Sequence, residues 1–541
     1  MKNKYTRLGC WGNPSLADLW DGNAKDYPDR EAVVDSAKRM TWAQAKQWYH
    51  RVALGFLELG LKKDDTIASQ LPNMAETILL MFALEKAGLL GLPAMTTQRH
   101  SEMEYLLKSV NARGIVILPT YRNFDYYQMI QDIRPNLPNL EYIFVVGDEK
   151  PPGTLSLKEM SEKPMETKYP ADYLEQTKLG PHEVRTLRTT SGTTGLPKII
   201  EYINQEWLVG KVDAVRWKLT RDDTLLALAP VIGGAGGGPC LWAAPHVAAK
   251  VVMIERFDAE EALQLIEKER VTLAAGVPAQ MAQMVSHPKL DHYDISSLHT
   301  FFYAGAACPY NLAKEVEEKM KCKVITGLGS IDIGRVSSLS ADDPAEVRLL
   351  SVGKTYPGNE VKLVDDEGNE VPQGDIGEIV WRGPTALGSY YRDLNRTLES
   401  RGGNPDGFAA TGDLGKFDEQ GNLYVVGRKK DIIIRGGQNI SPMEIENLLI
   451  THPKVLNAAV VPMPDPVMGE KACAYIIPKE RAEFTFNEMV SFLKEKKIAP
   501  YKLPERLEIV DRFPMAGDGQ KILKRELAED ITRKLKAEGE I

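Results

Sequence analysis

Between residues 222 and 330 short apolar runs alternate with stretches of helical periodicity. The runs LLALAP, KVVMI, VTLAAGVP, TFFYAG and KVITGLG are apolar on both faces, which predicts buried strands. Between two of them, Asp258 followed by Glu261 forms a capping-box start for a helix running to about Glu269. Strand and helix in turn imply a parallel sheet covered on both faces. The same grammar begins earlier, where residues 42–60 and 75–88 read as amphipathic helices separated by the strand-like TIASQLP. Two layered αβα halves are therefore expected.

After Ser351 the texture changes to short alternating stretches broken by the turn signals DDEGN, PQGDIG and DEQGN, as in an antiparallel β-rich lobe. It changes again at Gly427, where GRKKDIIIRGGQN sets charges and glycines around an apolar triplet. Ser441 as N-cap, Pro442 at the first helical position and Glu444 reaching back predict a helix start. The strands VLNAAVVP and CAYIIP, interleaved with helices, complete a small α+β unit. The expected fold class is α/β: a large N-terminal domain over residues 1–428, built of two layered αβα halves plus a β-rich lobe, followed by a small α+β domain over residues 429–541.

Composition narrows the partners. The 541 residues are 43% hydrophobic and 26% charged, ordinary for a globular chain of several domains. Lys plus Arg number 67 against 75 Asp plus Glu, a net charge of −8, which argues against nucleic acid as a partner. The five cysteines are scattered and never form a C-x-x-C pair, and no histidine pair has metal-ligand spacing, so reduced thiols and no structural zinc are expected. The first residues lack the apolar core of a signal peptide, which predicts a cytoplasmic protein. Residues 224–249 carry no Asp, Glu, Lys or Arg, yet Pro230, Pro239, Pro245 and the glycine run make buried strand plus loop the reading, rather than membrane insertion.

The chemistry concentrates in TLRTTSGTTGLPKII, residues 186–200. Glycine lets backbone N–H groups approach phosphate oxygens, the hydroxyls of Thr189, Thr190, Ser191, Thr193 and Thr194 donate to the same oxygens, and Lys198 adds a point charge. This loop is built to hold a polyphosphate. It departs from the P-loop of kinases and GTPases, because Leu196 and Pro197 separate Gly195 from Lys198 and no hydroxyl residue follows the lysine.

Together with YAGAACP (303–309), GLGSID (327–332), TGD (411–413), GRKKDIIIRGGQNISPMEIE (427–446) and Lys521, this loop resembles the acyl-adenylate-forming superfamily, which includes acyl- and aryl-CoA synthetases, adenylation domains of peptide synthetases and beetle luciferases. QLPN and PAMTTQRHSE are most similar to stand-alone aryl-acid ligases of the 2,3-dihydroxybenzoate type. The resemblance implies an enzyme that activates a carboxylate with Mg-ATP, releases pyrophosphate, and passes the acyl group of the acyl-AMP to a thiol. It places Thr190, Ser191, Gly192, Thr193, Thr194 and Lys198 around the β- and γ-phosphates, with Gly305, Ala306 and Leu328 also on the nucleotide. It puts Asp413 on the ribose hydroxyls and Arg428 on ribose or phosphate. Lys521 becomes the lysine that swings onto the carboxylate and α-phosphate, with Lys524 a competing candidate because Gln520 stands where a glycine is usual. Lys430 falls at the hinge of a mobile C-terminal domain.

GLGSID departs from the family's Tyr-Gly-x-Thr-Glu pattern. Leu328 is left to pack on the purine, Asp332 to ligate Mg²⁺ with a shorter arm, and Ile331 lacks the hydroxyl that contacts the α-phosphate. Gly233, Gly234, Ala304 and Gly329 fall where relatives line the acid pocket. A glycine wall there favours a bulky, mainly apolar ring over a catechol, and the alternative is a tight loop or close backbone approach. The implied function is an AMP-forming ligase joining an aromatic or alicyclic acid, of benzoate to naphthoate size, to coenzyme A. The alternatives are loading of a carrier-protein phosphopantetheine, or a degenerate nucleotide-binding protein. A homodimer stays open.

Overall fold

The five apolar runs all become strands of one sheet. Thr224–Ala227, Lys250–Met253, Leu273–Gly276, Thr300–Tyr303 and Lys323–Ile325 run parallel, and Glu31–Val34 and Arg39–Thr41 extend the sheet at one edge, the last antiparallel. A second seven-stranded sheet orders Ile199–Ile203, Val184–Thr189, Leu90–Pro93, Thr66–Gln70, Gly114–Ile117, Tyr142–Val145 and Leu155–Ser156. It too is parallel except for the antiparallel edge strand Ile199–Ile203. The computed structural model describes residues 2–7, 10–12, 14–189, 197–331, 334–385, 389–404, 407–479, 482–515 and 522–540.

Helices cover both sheets, and one apolar core joins them: Ile67, Val116 and Phe144 of the second sheet share a cluster with Leu225, Val251 and Leu273 of the first. The helix Ala75–Lys86 belongs to this core. Its expected amphipathic character is not observed, because every residue of it is buried. The residues that look like a solvated face are ion-paired inside instead. Lys86 Nζ lies 2.6 Å from both Asp21 and Glu175, Glu76 pairs with Lys38, and Glu85 accepts from Asn204 at 3.1 Å. The helix Trp42–Glu58, capped reciprocally by Thr41 and Gln44, is amphipathic as expected.

Two other local expectations are corrected. Asp258 caps the helix Ala259–Glu269 by accepting from Glu261 N at 3.0 Å, but among the described residues Glu261 does not return the bond. Burial and the neighbouring Asp258 and Glu255 carboxylates raise its pKa, so the two acids repel. The loop expected after Thr224–Ala227 is helical: Gly234–Gly237 forms one α-turn and Gly238–Ala243 a wider π-type turn, packed against the helix Trp207–Arg216.

The lobe after Ser351 is an antiparallel sheet of Glu360–Val364, Gly377–Arg382, Ala409–Phe417 and Leu423–Arg428. Beyond it Gln438–Ile440, Ile433–Arg435, Gly469–Pro478, Val455–Asp465 and Arg506–Ile509 build a further sheet flanked by Pro442–Leu449, Phe486–Glu495 and Lys524–Glu538. Its two apolar clusters share no residue with those of the preceding domain. The chain is thus an α/β protein with a large N-terminal and a small C-terminal domain. Pro442 opens its helix as expected, but Ser441 does not cap it. Its hydroxyl donates to Val426 O, across to the last strand of the β lobe, while Glu444 pairs with Lys502.

Candidate active site

In parallel sheets ligands gather beyond the carboxyl ends of the strands. Immediately past three neighbouring strands lie Ala229, Val277 and Ala304, which with Ala235 form a small apolar cluster. Ala304 N donates to Gly276 O at 3.2 Å, and Gly305 then turns at φ +90°, a conformation L side chains rarely adopt. Gly305 is exposed and Ala306 half-buried.

The glycine run divides between the two readings left open. Around Gly234 a Cβ would meet nothing within 4 Å, so this position faces open space. Gly233 precedes the turn as its N-cap. At Gly236 and Gly237 a Cβ would lie 2.3 Å from Ala229 O and 2.4 Å from Val231 O, so these two permit close backbone packing. At Gly238 the space is taken by Arg335, whose Nη1 would be 3.0 Å from a Cβ.

Two side-chain amides, one of them buried, hold this loop, and sequence reasoning missed both. Asn73 Nδ2 donates to Ala229 O at 3.0 Å while Val231 N donates to Asn73 Oδ1 at 2.8 Å. Gln280 Nε2 donates to Leu228 O at 2.9 Å, while Val277 N donates to Gln280 Oε1 at 3.0 Å. The only available signal was an amide in the apolar setting of QLPN.

Thr190, Ser191, Gly192, Thr193 and Thr194 lie outside the described residues, as do Asp332 and Lys521. The strands flanking the hydroxyl-rich loop pair through Thr189 and Ile199. Lys198 Nζ sits 5.6 Å from the Tyr390 ring centroid. Ile331 packs with Ile200, Tyr202 and Tyr390, and Tyr202 Oη donates to Ile331 O at 2.8 Å. Thus Ile331 is fastened beside Lys198 through the Tyr390 ring. Leu328 packs partly against the β-lobe core of Val336, Leu363, Ile379, Trp381 and Leu423. Gly329 pairs with Arg335 in a short antiparallel ladder, and a Cβ there would strike Gly334 O at 2.7 Å.

A third group assembles where the domains meet. Asp413 and Arg428 are register partners on adjacent strands, and Arg428 Nε lies 3.0 Å from Asp413 Oδ1. Gly412, at φ +72°, turns the chain just before the acid. Thr411, Gly412, Arg428, Lys429 and Lys430 line a cleft of about 420 Å³. Lys430 is exposed in the single turn Lys429–Asp431. Its neighbour Lys429, not singled out from sequence, lies 2.8 Å from Glu378 and 2.9 Å from Asp366, and the hydrogen bonds it donates to these carboxylates raise its pKa. Lys524 opens the last helix with its ammonium 2.6 Å from Glu446 Oε1. Burial raises the Glu446 pKa, and Val460 N also donates to that carboxylate.

Two αβα layers with candidate groups at their carboxyl ends, a β lobe and a small domain meeting at a cationic cleft define a two-domain adenylate-forming enzyme. The chain belongs to the AMP-binding enzyme family: residues 20–391 match the AMP-binding enzyme and residues 444–520 the AMP-binding enzyme C-terminal domain. It is 31% identical to 2,3-dihydroxybenzoate-AMP ligase of Bacillus subtilis (strain 168), over 98% of this chain and 96% of that one. It is also 31% identical to the medium-chain fatty-acid–CoA ligase of Escherichia coli (strain K12), over 98% and 93%. Among solved structures it is similar to the anthranilate CoA ligase AuaEII in complex with anthranoyl-AMP, with a TM-score of 0.84 and 26% identity over 97% of this chain and 98% of that one. It is a ligase of the adenylate-forming acyl and aryl acid class that uses ATP. Among the described residues no helix is long and apolar enough to cross a membrane.

Proposed function

We propose that the chain is an AMP-forming acid:CoA ligase for an aromatic or alicyclic carboxylic acid of benzoate to naphthoate size. The observation that carries this reading is the opening at Gly234 beside the apolar cluster of Ala229, Ala235, Val277 and Ala304, beyond the strand ends. A ring fits such a surface, and small side chains leave room for it.

In the first half-reaction a carboxylate oxygen attacks the α-phosphorus of ATP and pyrophosphate leaves. Thr190, Ser191, Gly192, Thr193, Thr194 and Lys198 hold the leaving phosphates, while Lys521 stabilises charge on the carboxylate and α-phosphate. Asp413 accepts from the ribose hydroxyls, with Arg428 holding its carboxylate in place. Gly305, Ala306 and Leu328 border the nucleotide, and Gly233, Gly234, Ala304 and Gly329 the acid. Asp332 supplies the hard carboxylate oxygen that Mg²⁺ prefers, and the ion when bound neutralises triphosphate charge. In the second half-reaction the coenzyme A thiol gives up its proton to solvent, the thiolate attacks the acyl carbonyl, and AMP departs with the electrons of the broken C–O bond.

Between the two steps the domains 1–428 and 429–541 reorient about Lys430. Their separate apolar clusters support a division there. Among the described residues the cysteines form no disulfide, which supports a cytoplasmic setting. ATP–pyrophosphate exchange over a panel of ring acids, followed by transfer to coenzyme A or to carrier-protein phosphopantetheine, tests the reading. Exchange plus an acyl-CoA product supports it. Transfer to the carrier protein alone replaces the acceptor, and no exchange with any acid leaves a degenerate nucleotide-binding protein.

A further inference from the structure

The side chain occupying the space beside Gly238 bears on what the ring carries. Arg335 stands with its guanidinium carbon 5.8 Å from the ring centroids of both Trp242 and Tyr356. Its charge is balanced by Asp213, which is fully buried, with Arg335 Nη1 3.1 Å from Asp213 Oδ2. Tyr356 Oη donates to the other oxygen, Asp213 Oδ1, at 2.7 Å. The Asp213 contact supplies charge but not hydrogen-bond geometry, and Nη1 makes no hydrogen bond among the described residues.

A guanidinium has five N–H donors. A largely buried one with donors to spare is costly unless an acceptor arrives. Gly238 lies one helical turn, about 6 Å, beyond the open position at Gly234, on the same helical segment. Arg335 therefore stands at the far side of the surface proposed to take the ring. A Cβ at residue 238 would press on this guanidinium, which would have to give by a few tenths of an ångström.

We propose that Arg335 is a specificity-determining residue that receives an oxygen acceptor, a ring carbonyl or a second carboxylate, borne by the acid remote from the carboxyl that is activated. This rests on the reading of the chain as a ring-acid ligase. It refines that reading: the ring is apolar along its faces and oxygenated at its end.

The test is ATP–pyrophosphate exchange with matched acids of two sizes. These are cyclohexanecarboxylate against 4-oxocyclohexanecarboxylate and cyclohexane-1,4-dicarboxylate, and 2-naphthoate against naphthalene-2,6-dicarboxylate. The wild-type chain should favour an oxygenated member by about tenfold or more in kcat/KM, since a site built to pair a polar group discriminates against the analogue lacking it. In Arg335→Met that preference should fall to within about twofold, the loss being much larger on the oxygenated acid than on its parent.

Removing the arginine alone leaves Asp213 buried and uncompensated, so the double variant Asp213→Asn/Arg335→Met, neutral at both positions, provides the folded comparison. Asp213→Asn alone separates the two acceptors. Unmasking the cation should raise the preference for the dicarboxylate over the oxo-acid if the acceptor is ionised, and leave their ratio unchanged if it is a carbonyl. Wild-type preference for the parent acid at both sizes, or an oxygenated preference that survives in the double variant, overturns the proposal. Exchange with an unaltered preference removes Arg335 alone, whereas no exchange with any acid removes the ring-acid ligase reading with it.

Discussion

Lys524 Nζ and Glu446 Oε1 lie 2.6 Å apart, fastening the start of the last helix to the helix Pro442–Leu449. The carboxylate is buried and also accepts from Val460 N, so the lysine serves the packing of its own domain. This favours Lys521 over Lys524 as the lysine that reaches the reacting phosphate. Lys521→Ala should slow acyl-AMP formation by about 10²–10³ and leave thioester formation from supplied acyl-AMP nearly intact. Lys524→Ala should instead lower the thermal midpoint, because it strands a buried carboxylate. Rapid-quench measurement of acyl-AMP, with a melting curve for each variant, distinguishes them. The reverse pattern would make Lys524 the catalytic group.

Lys430 stands between two different restraints. On one side Lys429 is held to Glu378 and Asp366 of the β lobe, and on the other Ser441 donates to Val426 O. A rotation of the small domain about Lys430 must leave the first in place and break or carry the second. Lys430→Pro fixes φ at the proposed pivot. Adenylation measured by pyrophosphate exchange should persist while acyl-CoA formation drops at least tenfold, a magnitude of about 1.4 kcal/mol in barrier. Wild-type rates for both steps in this variant would show that the pivot lies elsewhere.

The strands were legible because a strand covered on both faces is apolar nearly throughout, as in Thr224–Ala227 and Leu273–Gly276. The helix Ala75–Lys86 was misread because Glu76, Glu85 and Lys86 mimic a wet face, and only tertiary ion pairing brings them inside. Likewise, sequence showed the glycine run but not which glycine faces space and which a carbonyl. Asp413 and Arg428 were singled out from their motifs, but their contact depends on strand register and was not legible. Asn73 was not, because its partner Ala229 O is 156 residues away and nothing local marks the pairing.

Glu269 gives the chain a defined acid response. Its carboxylate meets Arg39 through two contacts of 2.8 and 3.1 Å and Lys250 at 3.0 Å, tying the end of the helix Ala259–Glu269 to two strands. Hydrogen bonding from Arg39, aided by Lys250, outweighs burial and holds its pKa at about 2, below the ordinary 4.5. A depressed carboxylate stabilises the fold above its unfolded pKa and loses that contribution as pH falls through its folded value. The stabilisation is therefore complete above about pH 4.5 and fades towards pH 2. With Arg39 half-exposed, screening reduces it to about 2 kcal/mol. Glu269→Gln should lower the urea midpoint at pH 7, and the gap to wild type should narrow by pH 3.5. A gap independent of pH would assign the loss to packing.

Asn73 joins the two layered halves at the point where the acid is proposed to bind. It follows the strand Thr66–Gln70 of one sheet and grips Ala229 O and Val231 N beyond the strand Thr224–Ala227 of the other. Substitution by leucine keeps the volume and removes both hydrogen bonds. The buried Val231 N–H then loses this acceptor, at a cost of about 1–3 kcal/mol. The loop has a local means of escape, since its glycines permit other backbone conformations, so the loss should appear as loop displacement more than as unfolding. Asn73→Leu should therefore raise KM for the acid about tenfold while KM for ATP stays within about twofold. Asn73→Asp keeps the acceptor for Val231 N but sets a carboxylate against Ala229 O, so it should fail as badly as leucine. Equal rises in both KM values would mean that Asn73 supports the whole domain rather than the acid loop.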